Sequence, residues 1–215
     1  MPKRSHKHAF TLIELLTVVA IIAILAAIAF PVCAAGIRHA QCSACASNMR
    51  GLGIAFMSYA YDNGGFLPQR VVSGNKWPTL LLPYVSYETS IYVDPGDPVA
   101  TKIPASQLIS NSPNNSSFIF NGFNDQGALG NPNVVVNISS IPSPSTTLLL
   151  GQQKAAGNNF YLDVNEGDQN TVLNKKAYFG GANYVFADGS CRFMNATTYN
   201  DAMWLVNPNY AIPSP

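Results

Sequence analysis

The sequence predicts an α+β protein in which one long N-terminal helix, with a transmembrane first half, packs on a small antiparallel-sheet head. The first observation is an apolar run from Phe10 to Phe30 in which only Thr11, Glu14 and Thr17 are polar. The second is a series of short apolar segments between turn residues in the rest of the chain, which is typical of strands. The third is composition: charged residues make up only 11% of the 215 residues, and the net charge is +1. The chain therefore lacks the basic patch that would indicate nucleic-acid binding.

The N-terminal run has the length of a membrane span. The 21 residues from Phe10 to Phe30 would extend roughly 30 Å as a helix, which matches the hydrocarbon core of a bilayer. The preceding Lys3, Arg4 and Lys7 are basic and should stay on the cytoplasmic side.

A single carboxylate interrupts this run. Glu14 is its only charged residue, and a charged side chain at a helix centre in lipid costs roughly 2.5–3.5 kcal/mol on insertion scales. Such residues usually have a partner, and we expect a positive charge on a neighbouring copy of the same kind of chain to provide it.

The helix should continue beyond the membrane as a stalk. Pro31 removes one helical hydrogen bond and should kink or loosen the helix. An apolar stripe with alternating spacings of four and three residues then predicts the face that packs on the head: Cys45, Met49, Leu52, Phe56 and Tyr59. The turn sequence Asp62-Asn63-Gly64-Gly65 should end the helix.

The segment Ala9-Phe10-Thr11-Leu12-Ile13-Glu14 resembles the class III signal of type IV prepilins and type II secretion pseudopilins. The resemblance implies that a prepilin peptidase cuts between Ala9 and Phe10 and methylates the new amine. It also implies that Glu14 is the assembly glutamate and Pro31 the mid-helix proline. Ala9 stands where the family usually has Gly. We therefore expect four segments: a leader at 1–9, a transmembrane and assembly helix at 10–31, a stalk at 32–62 and a head at 63–215.

The cut gives Glu14 a partner of opposite charge. A free α-amine at Phe10 has a pKa near 8 and is mostly charged at neutral pH. In a staggered bundle, Glu14 of one subunit can reach the amine of the next. A single-pass anchor with an incidental glutamate is the alternative.

Local patterns predict several elements of the head. We expect a short helix at 77–85, strands at 117–120 and 146–150, loops at 111–115 and 141–145, and an irregular polar segment at 151–176. Asp188-Gly189 predicts a two-residue turn in a hairpin at 183–193. That register would place Tyr184, Phe186, Cys191 and Phe193 on one face against the stalk.

The segment from Gly180 to Gly189 also resembles the C-terminal "H-x9-DG" segment of prepilin-like proteins. Tyr178 stands where that family has its His. Asp94-Pro95 stands where the family often has Cys-Pro, which implies that Cys45 lacks the family's partner.

The four cysteines are Cys33, Cys42, Cys45 and Cys191. Cys42 and Cys45 form a C-x-x-C, but without a second pair a zinc site is a weak interpretation. In an oxidising compartment Cys191 could form a disulfide with Cys42 or with Cys45, and the sequence does not assign the pairing.

The positions of the three histidines argue against a hydrolytic enzyme with a histidine-activated nucleophile. His6 and His8 lie in the leader and His39 on the stalk, so the head cannot build a Ser-His or Cys-His nucleophile. We expect no catalytic residue and no cofactor.

One acidic loop is a candidate calcium site. Asp163, Asn165, Glu166 and Asp168 offer oxygen ligands around Gly167. The resemblance lends support, since major pseudopilins of type II secretion use calcium in a C-terminal loop. A solvated acidic loop without an ion is the favoured alternative.

These observations and the resemblance predict a structural subunit of a type IV pilus-like or type II secretion pseudopilus filament. The expected partners are other pilin or pseudopilin subunits, a prepilin peptidase and an inner-membrane assembly platform, with no nucleic acid. The expected location is the bacterial inner membrane with a cytoplasmic N-terminus and a periplasmic head, or an extracellular filament. The alternative is a membrane-anchored periplasmic binding module that does not polymerise.

Overall fold

The computed structural model describes residues 11–70, 75–99, 116–126, 134–154, 159–207, 209–210 and 212. These residues contain the helices α1 (Leu12–Asp62), α2 (Trp77–Leu81) and α3 (Asp168–Thr171). They also contain the strands β1 (Phe118–Asn121), β2 (Leu148–Gln152), β3 (Tyr161–Leu162), β4 (Gly181–Phe186) and β5 (Cys191–Asn195). The chain divides into two compact units, Met1–Ala40 and Gln41–Pro215. The loop predicted at 111–115 lies outside the described residues.

Helix α1 is continuous through Pro31 and ends where the turn sequence predicts. Pro31 has no N–H to donate to the carbonyl of Ala27, yet helical structure continues on both sides of it. At the C-terminal end, Gly64 and Gly65 have φ angles of 67° and 87°, a conformation that glycine adopts at little cost. The Gly65 amide donates to the Ala60 carbonyl at 2.7 Å and so closes the last turn.

The predicted apolar stripe forms the face of α1 that lies in the head. The fully buried residues of this face are Cys45, Met49, Leu52, Gly53, Ala55, Phe56 and Ala60, and Tyr59 is half-buried. Phe56 stacks on Phe120 of β1 with ring centroids 4.8 Å apart, and it contacts Trp77 of α2 at 5.6 Å. The predicted helix at 77–85 is confirmed as α2 followed by a 3-10 turn at Leu82–Val85.

The five strands form one mixed sheet in the order β3-β1-β2-β4-β5. The strands predicted near 117–120 and 146–150 are confirmed as β1 and β2. The predicted α+β fold with a long N-terminal helix is confirmed. The sheet is antiparallel as predicted in its β1–β2, β2–β4 and β4–β5 pairs, but β3 pairs with β1 in parallel at one edge. The prediction of an irregular segment at 151–176 is wrong, because that segment contains the end of β2, all of β3 and α3. The apolar pair Tyr161-Leu162 is buried against β1, and it is too short to show a strand period.

The hairpin of β4 and β5 forms, but its predicted register is wrong by one residue. Val185 faces Cys191, and Tyr184 faces Arg192. The Phe186 amide donates to the Ser190 carbonyl and the Gly189 amide to the Phe186 carbonyl, each at 2.9 Å. The loop therefore has three residues, with Gly189 at a φ of 80°, which is the turn type that carries a glycine bulge. One additional loop residue reverses the face on which Tyr184 and Phe186 lie.

The sheet separates two apolar clusters. On the α1 side, Val185 and Ala187 join Phe56, Leu149 and Trp77. On the opposite side, Tyr184 and Phe186 pack with Trp204, Ile119 and Leu148. The head core is therefore a helix on one sheet face and the C-terminal segment on the other.

Candidate functional site

The first part of α1 presents apolar residues to its surroundings on every side. Every residue from 11 to 40 is exposed, and its large apolar side chains range from 47% exposed at Val18 to 82% at Leu12. A helix that is apolar all round is stable only inside a larger core or a membrane. Among the described residues, α1 is the one helix long and apolar enough to cross a membrane.

Glu14 is engaged within its own helix turn. Its Oε2 accepts a hydrogen bond from the Thr11 amide at 2.8 Å and from the Thr11 hydroxyl at 2.7 Å. The Glu14 amide donates back to the Thr11 hydroxyl at 3.3 Å. This is a capping box, which satisfies otherwise unpaired amides of the first helical turn. The sequence pattern Thr-x-x-Glu is the signal for this contact, whereas the partner predicted for Glu14 lay in another subunit.

The predicted cleavage residues Ala9 and Phe10 lie outside the described residues. The capping box nevertheless places Thr11 at the start of α1, one residue after Phe10, the predicted new N-terminus. The predicted roles of Ala9, Phe10, Glu14 and Pro31 remain predictions.

A buried polar cluster joins α1, β2 and the loop that begins at Asp94. The Asp94 carboxylate, only 6% exposed, accepts from the Gln152 side-chain amide at 2.6 Å and from the Gly96 backbone amide at 2.9 Å. The Tyr178 hydroxyl donates to the same carboxylate. The Gln152 amide also donates to the Cys45 sulfur at 3.3 Å. Each polar atom of the cluster thus has a partner, which a buried carboxylate requires.

Two of the positions where the chain departs from the prepilin-like proteins that it resembles, Tyr178 and Asp94, are therefore in direct contact. Tyr178 stands where the family has its His, and Asp94 stands where the family often has Cys. Burial and the hydrogen bond to Asp94 raise the pKa of Tyr178 well above its ordinary value, so its hydroxyl stays a donor at neutral pH. Tyr178 and Asp94 are 84 positions apart, so no local sequence pattern predicts their contact.

Four cysteines are free thiols in this structure: Cys33 (exposed), Cys42 and Cys45 on α1, and Cys191 on β5. Burial raises the pKa of Cys45 far above its ordinary value, and it raises that of Cys191 to about 11. Burial also raises the pKa of Cys42, whose sulfur lies 3.8 Å from the Asn183 amide nitrogen. These surroundings favour neutral thiols over the thiolates that bind zinc or attack disulfides.

The predicted calcium ligands only partly converge. Carboxylate oxygens of Asp163, Glu166 and Asp168 lie within 4.8 Å of one another. The Asn165 side-chain oxygen instead accepts from the Tyr210 hydroxyl at 2.5 Å. Arg70 binds Asp163 with both terminal nitrogens, at 2.7 and 2.6 Å. Calcium takes six to eight oxygen ligands, so this donor set is a poor fit to the ion as arranged; calcium binding remains a prediction.

Comparison with known families gives one match. The model of the prokaryotic N-terminal methylation motif matches residues 4–30. The chain therefore carries a prepilin-type methylation motif on a long apolar N-terminal helix that fits a membrane anchor, which is consistent with a pilin-like protein. Comparisons with curated proteins and with solved structures return no match.

Proposed function

We propose that this chain is a structural subunit of a type IV pilus-like or type II secretion pseudopilus filament. The observation that carries the proposal is a wholly exposed apolar helix segment with one carboxylate, placed within a methylation motif at residues 4–30. An apolar surface of this extent needs a partner outside the chain, first lipid and then the helices of neighbouring subunits.

Processing would change the partner of Glu14. In the uncut chain, the Thr11 amide and hydroxyl both donate to the Glu14 carboxylate. Cleavage between Ala9 and Phe10 by a prepilin peptidase would create an amine with an ordinary pKa near 8, which is mostly charged at neutral pH. Glu14 of one subunit could then exchange its Thr11 contacts for the methylated amine of the next, so that each charge in lipid gains a counter-charge.

The proposed topology follows from the charges flanking the helix. Lys3, Arg4 and Lys7 precede the apolar run, so the N-terminus would remain cytoplasmic and the head would lie in the periplasm. The inner-membrane assembly platform would extract the subunit into a filament, which could extend outside the cell. In this proposal the head supplies lateral contacts and no catalysis, and the cluster around Asp94 has a purely structural role.

The first test is the intact mass and N-terminal sequence of the protein recovered from bacterial membranes that contain a prepilin peptidase. We expect a chain that starts at methylated Phe10. The matched control is Ala9→Gly, which supplies the residue usual in prepilins and should be cut at the same bond. If the Ala9→Gly control is cut while the wild-type chain still begins at Met1, processing of this protein is contradicted.

The second test addresses the non-polymerising alternative, which the Thr11 contacts favour because they already satisfy Glu14 within one chain. We expect Glu14→Ala to remain membrane-bound and cleaved but to lose sedimentable filaments. Glu14→Asp, which keeps the charge, is the control and should retain part of the assembly. Filaments that are equally abundant in Glu14→Ala would overturn the role of Glu14, and their absence in the wild type would favour the anchored module.

A further inference from the structure

Arg70 is built into the acidic loop at 163–168 in the manner of a bound cation. We propose that its guanidinium permanently supplies the positive charge that this loop requires, in place of a divalent metal ion, and that removing Arg70 makes the loop responsive to calcium. The proposal concerns how the head is stabilised, and it holds whether or not the subunit forms filaments.

The Arg70–Asp163 contact has the geometry of a specific site. Nη1 and Nη2 each bind one carboxylate oxygen, at 2.7 and 2.6 Å, and the Asp163 side chain is only 7% exposed. Two-pronged pairs of this kind are stronger than single contacts and fix the orientation of both groups. The guanidinium therefore occupies both oxygens that Asp163 would offer to a metal ion.

Tyr161 positions Arg70 from two directions. The Tyr161 hydroxyl donates to the Arg70 backbone carbonyl, and the guanidinium carbon lies 4.9 Å from the centre of the Tyr161 ring. Tyr161 belongs to β3, and Asp163 is the first residue after that strand. One short segment therefore both contacts Arg70 and carries its carboxylate partner. An arginine whose backbone is hydrogen-bonded and whose guanidinium lies over a tyrosine ring loses little further conformational freedom when it binds the carboxylate.

The charge balance around the loop is already nearly neutral. A cavity of about 270 Å³ is lined by Arg70 and Lys76 together with Asp163 and Glu166, so the two positive charges equal the two negative ones. Lys76 lies over the Phe160 ring at 4.0 Å. Only Asp168 adds an unmatched negative charge, whereas calcium affinity depends on an excess of carboxylates.

Two of the other predicted ligands, Asp168 and Asn165, accept hydrogen bonds from protein donors. Asp168 accepts from the Asp163 amide at 3.0 Å and from the Asn159 side chain at 3.1 Å. Burial raises the pKa of Asp168, and the charge of Arg70 opposes that shift. Burial alone would lower the pKa of Arg70, but the hydrogen bond to Asp163 and the charges of Asp163 and Glu166 raise it overall. Arg70 thus interacts with all three carboxyl groups of the cluster.

The experiment measures the melting temperature of the detergent-solubilised full chain by tryptophan fluorescence. Trp77 is a suitable reporter because its indole donates to the Phe160 carbonyl at 2.9 Å, beside the loop. For the wild type, 5 mM CaCl₂ should change the melting temperature by less than about 1 °C relative to NaCl of equal ionic strength or to chelator. For Arg70→Met, we expect a fall of roughly 5 °C in chelator, of which CaCl₂ restores at least half.

Calorimetric titration with CaCl₂ gives an independent readout. We expect Arg70→Met to bind at least tenfold more tightly than the wild type, because one positive charge leaves the site. Arg70→Gln, which keeps hydrogen-bond donors without the charge, should respond to calcium in the same direction and serves as the second variant if Arg70→Met does not fold. The double variant Arg70→Met/Asp163→Asn should lose the response.

A second ion pair among the described residues offers a matched control. Lys175 binds Asp201 at 3.0 Å, with side chains 25% and 29% exposed, and a tyrosine ring also lies beneath this cation. Lys175→Met should lower the melting temperature without any recovery in calcium. The proposal is overturned if calcium stabilises the wild type, if folded Arg70 variants ignore calcium, or if Lys175→Met responds equally.

Discussion

The two parts of α1 belong to one continuous helix but have opposite surroundings. Every residue from 11 to 40 is exposed, whereas seven residues between Cys45 and Ala60 are fully buried. The first part is apolar on all sides, so it has no single apolar face that could pack on the head. The second part alternates apolar residues with Ser, Asn and Arg, which leaves one stripe for the head core. The same helix thus serves the fold in one part and has surface left for other molecules in the other.

The largest expected difference between the two parts follows from truncating a buried aromatic. Phe56 is fully buried against Phe120 and Trp77, so Phe56→Ala should lower the free energy of unfolding of the head by about 3–5 kcal/mol. That loss corresponds to roughly 6–20 °C in melting temperature, measured by tryptophan fluorescence in detergent. The control Ile28→Ala, at a side chain 64% exposed, should leave the head transition unchanged. Equal losses in both variants would contradict the division of the helix.

A pair of glycines sharpens the same comparison. A Cβ on Gly53 would lie 2.5 Å from the Gly189 carbonyl oxygen and 3.1 Å from a Val185 methyl group, whereas one on Gly36 would meet nothing within 4 Å. Gly53→Ala should therefore cost about 1–3 kcal/mol through overpacking. Gly36→Ala should be neutral or slightly stabilising, because alanine favours a helix by up to about 1 kcal/mol. Urea unfolding of both variants measures the difference, and equal midpoints would show that the helix and the β4–β5 turn do not pack closely.

The smallest effect is a difference in thiol reactivity. Burial raises the pKa of Cys191 from an ordinary 9.0 to about 11, so iodoacetamide should alkylate it about tenfold faster for each pH unit between 7 and 10. Exposed Cys33 should react first, as peptide mapping by mass spectrometry will record.

The same pKa shift makes stability depend on pH. The folded head binds the thiol proton of Cys191 more tightly than the unfolded chain does, so Cys191 lowers stability as pH rises from 9.0 to about 11. Cys191→Ser should reduce that loss, and rapid labelling of Cys191 at pH 7 would contradict its burial.

The sequence was most informative where local rules decide the structure. The end of α1 follows from Gly64 and Gly65, its buried face from the 4-3-4-3 spacing, and α2 from the apolar run after Trp77-Pro78. These features depend on residues within one or two helical turns, so no distant contact overrides them.

The hairpin register depends on a distant contact. Asp188-Gly189 suggests a two-residue turn of type I′, in which both residues must have a positive φ. Of these two residues, only Gly189 has a positive φ. The Gly189 carbonyl packs closely against Gly53. A turn rule cannot include a helix that lies more than one hundred residues earlier.

The polar contacts of the site show the same limit. Arg70 and Asp163 are 93 positions apart, and Tyr178 and Asp94 are 84 apart. The sequence identified Asp163, Tyr178 and Asp94 as notable one at a time. Their pairing arises from how β3 and β4 are placed in the sheet, which only the folded backbone specifies.

The burial of the α1 stripe by late parts of the chain has a consequence for the order of synthesis. Phe56 shares its core cluster with Val185, which the ribosome adds about 130 residues later, after roughly 6–26 s at ordinary elongation rates. The anchor segment, in contrast, is complete after the first forty residues. For most of the chain's synthesis the buried stripe of α1 therefore lacks the sheet that covers it. Head folding is therefore a late event in synthesis, and the interval before the sheet covers the aromatic stripe is the period of greatest exposure to aggregation and proteolysis.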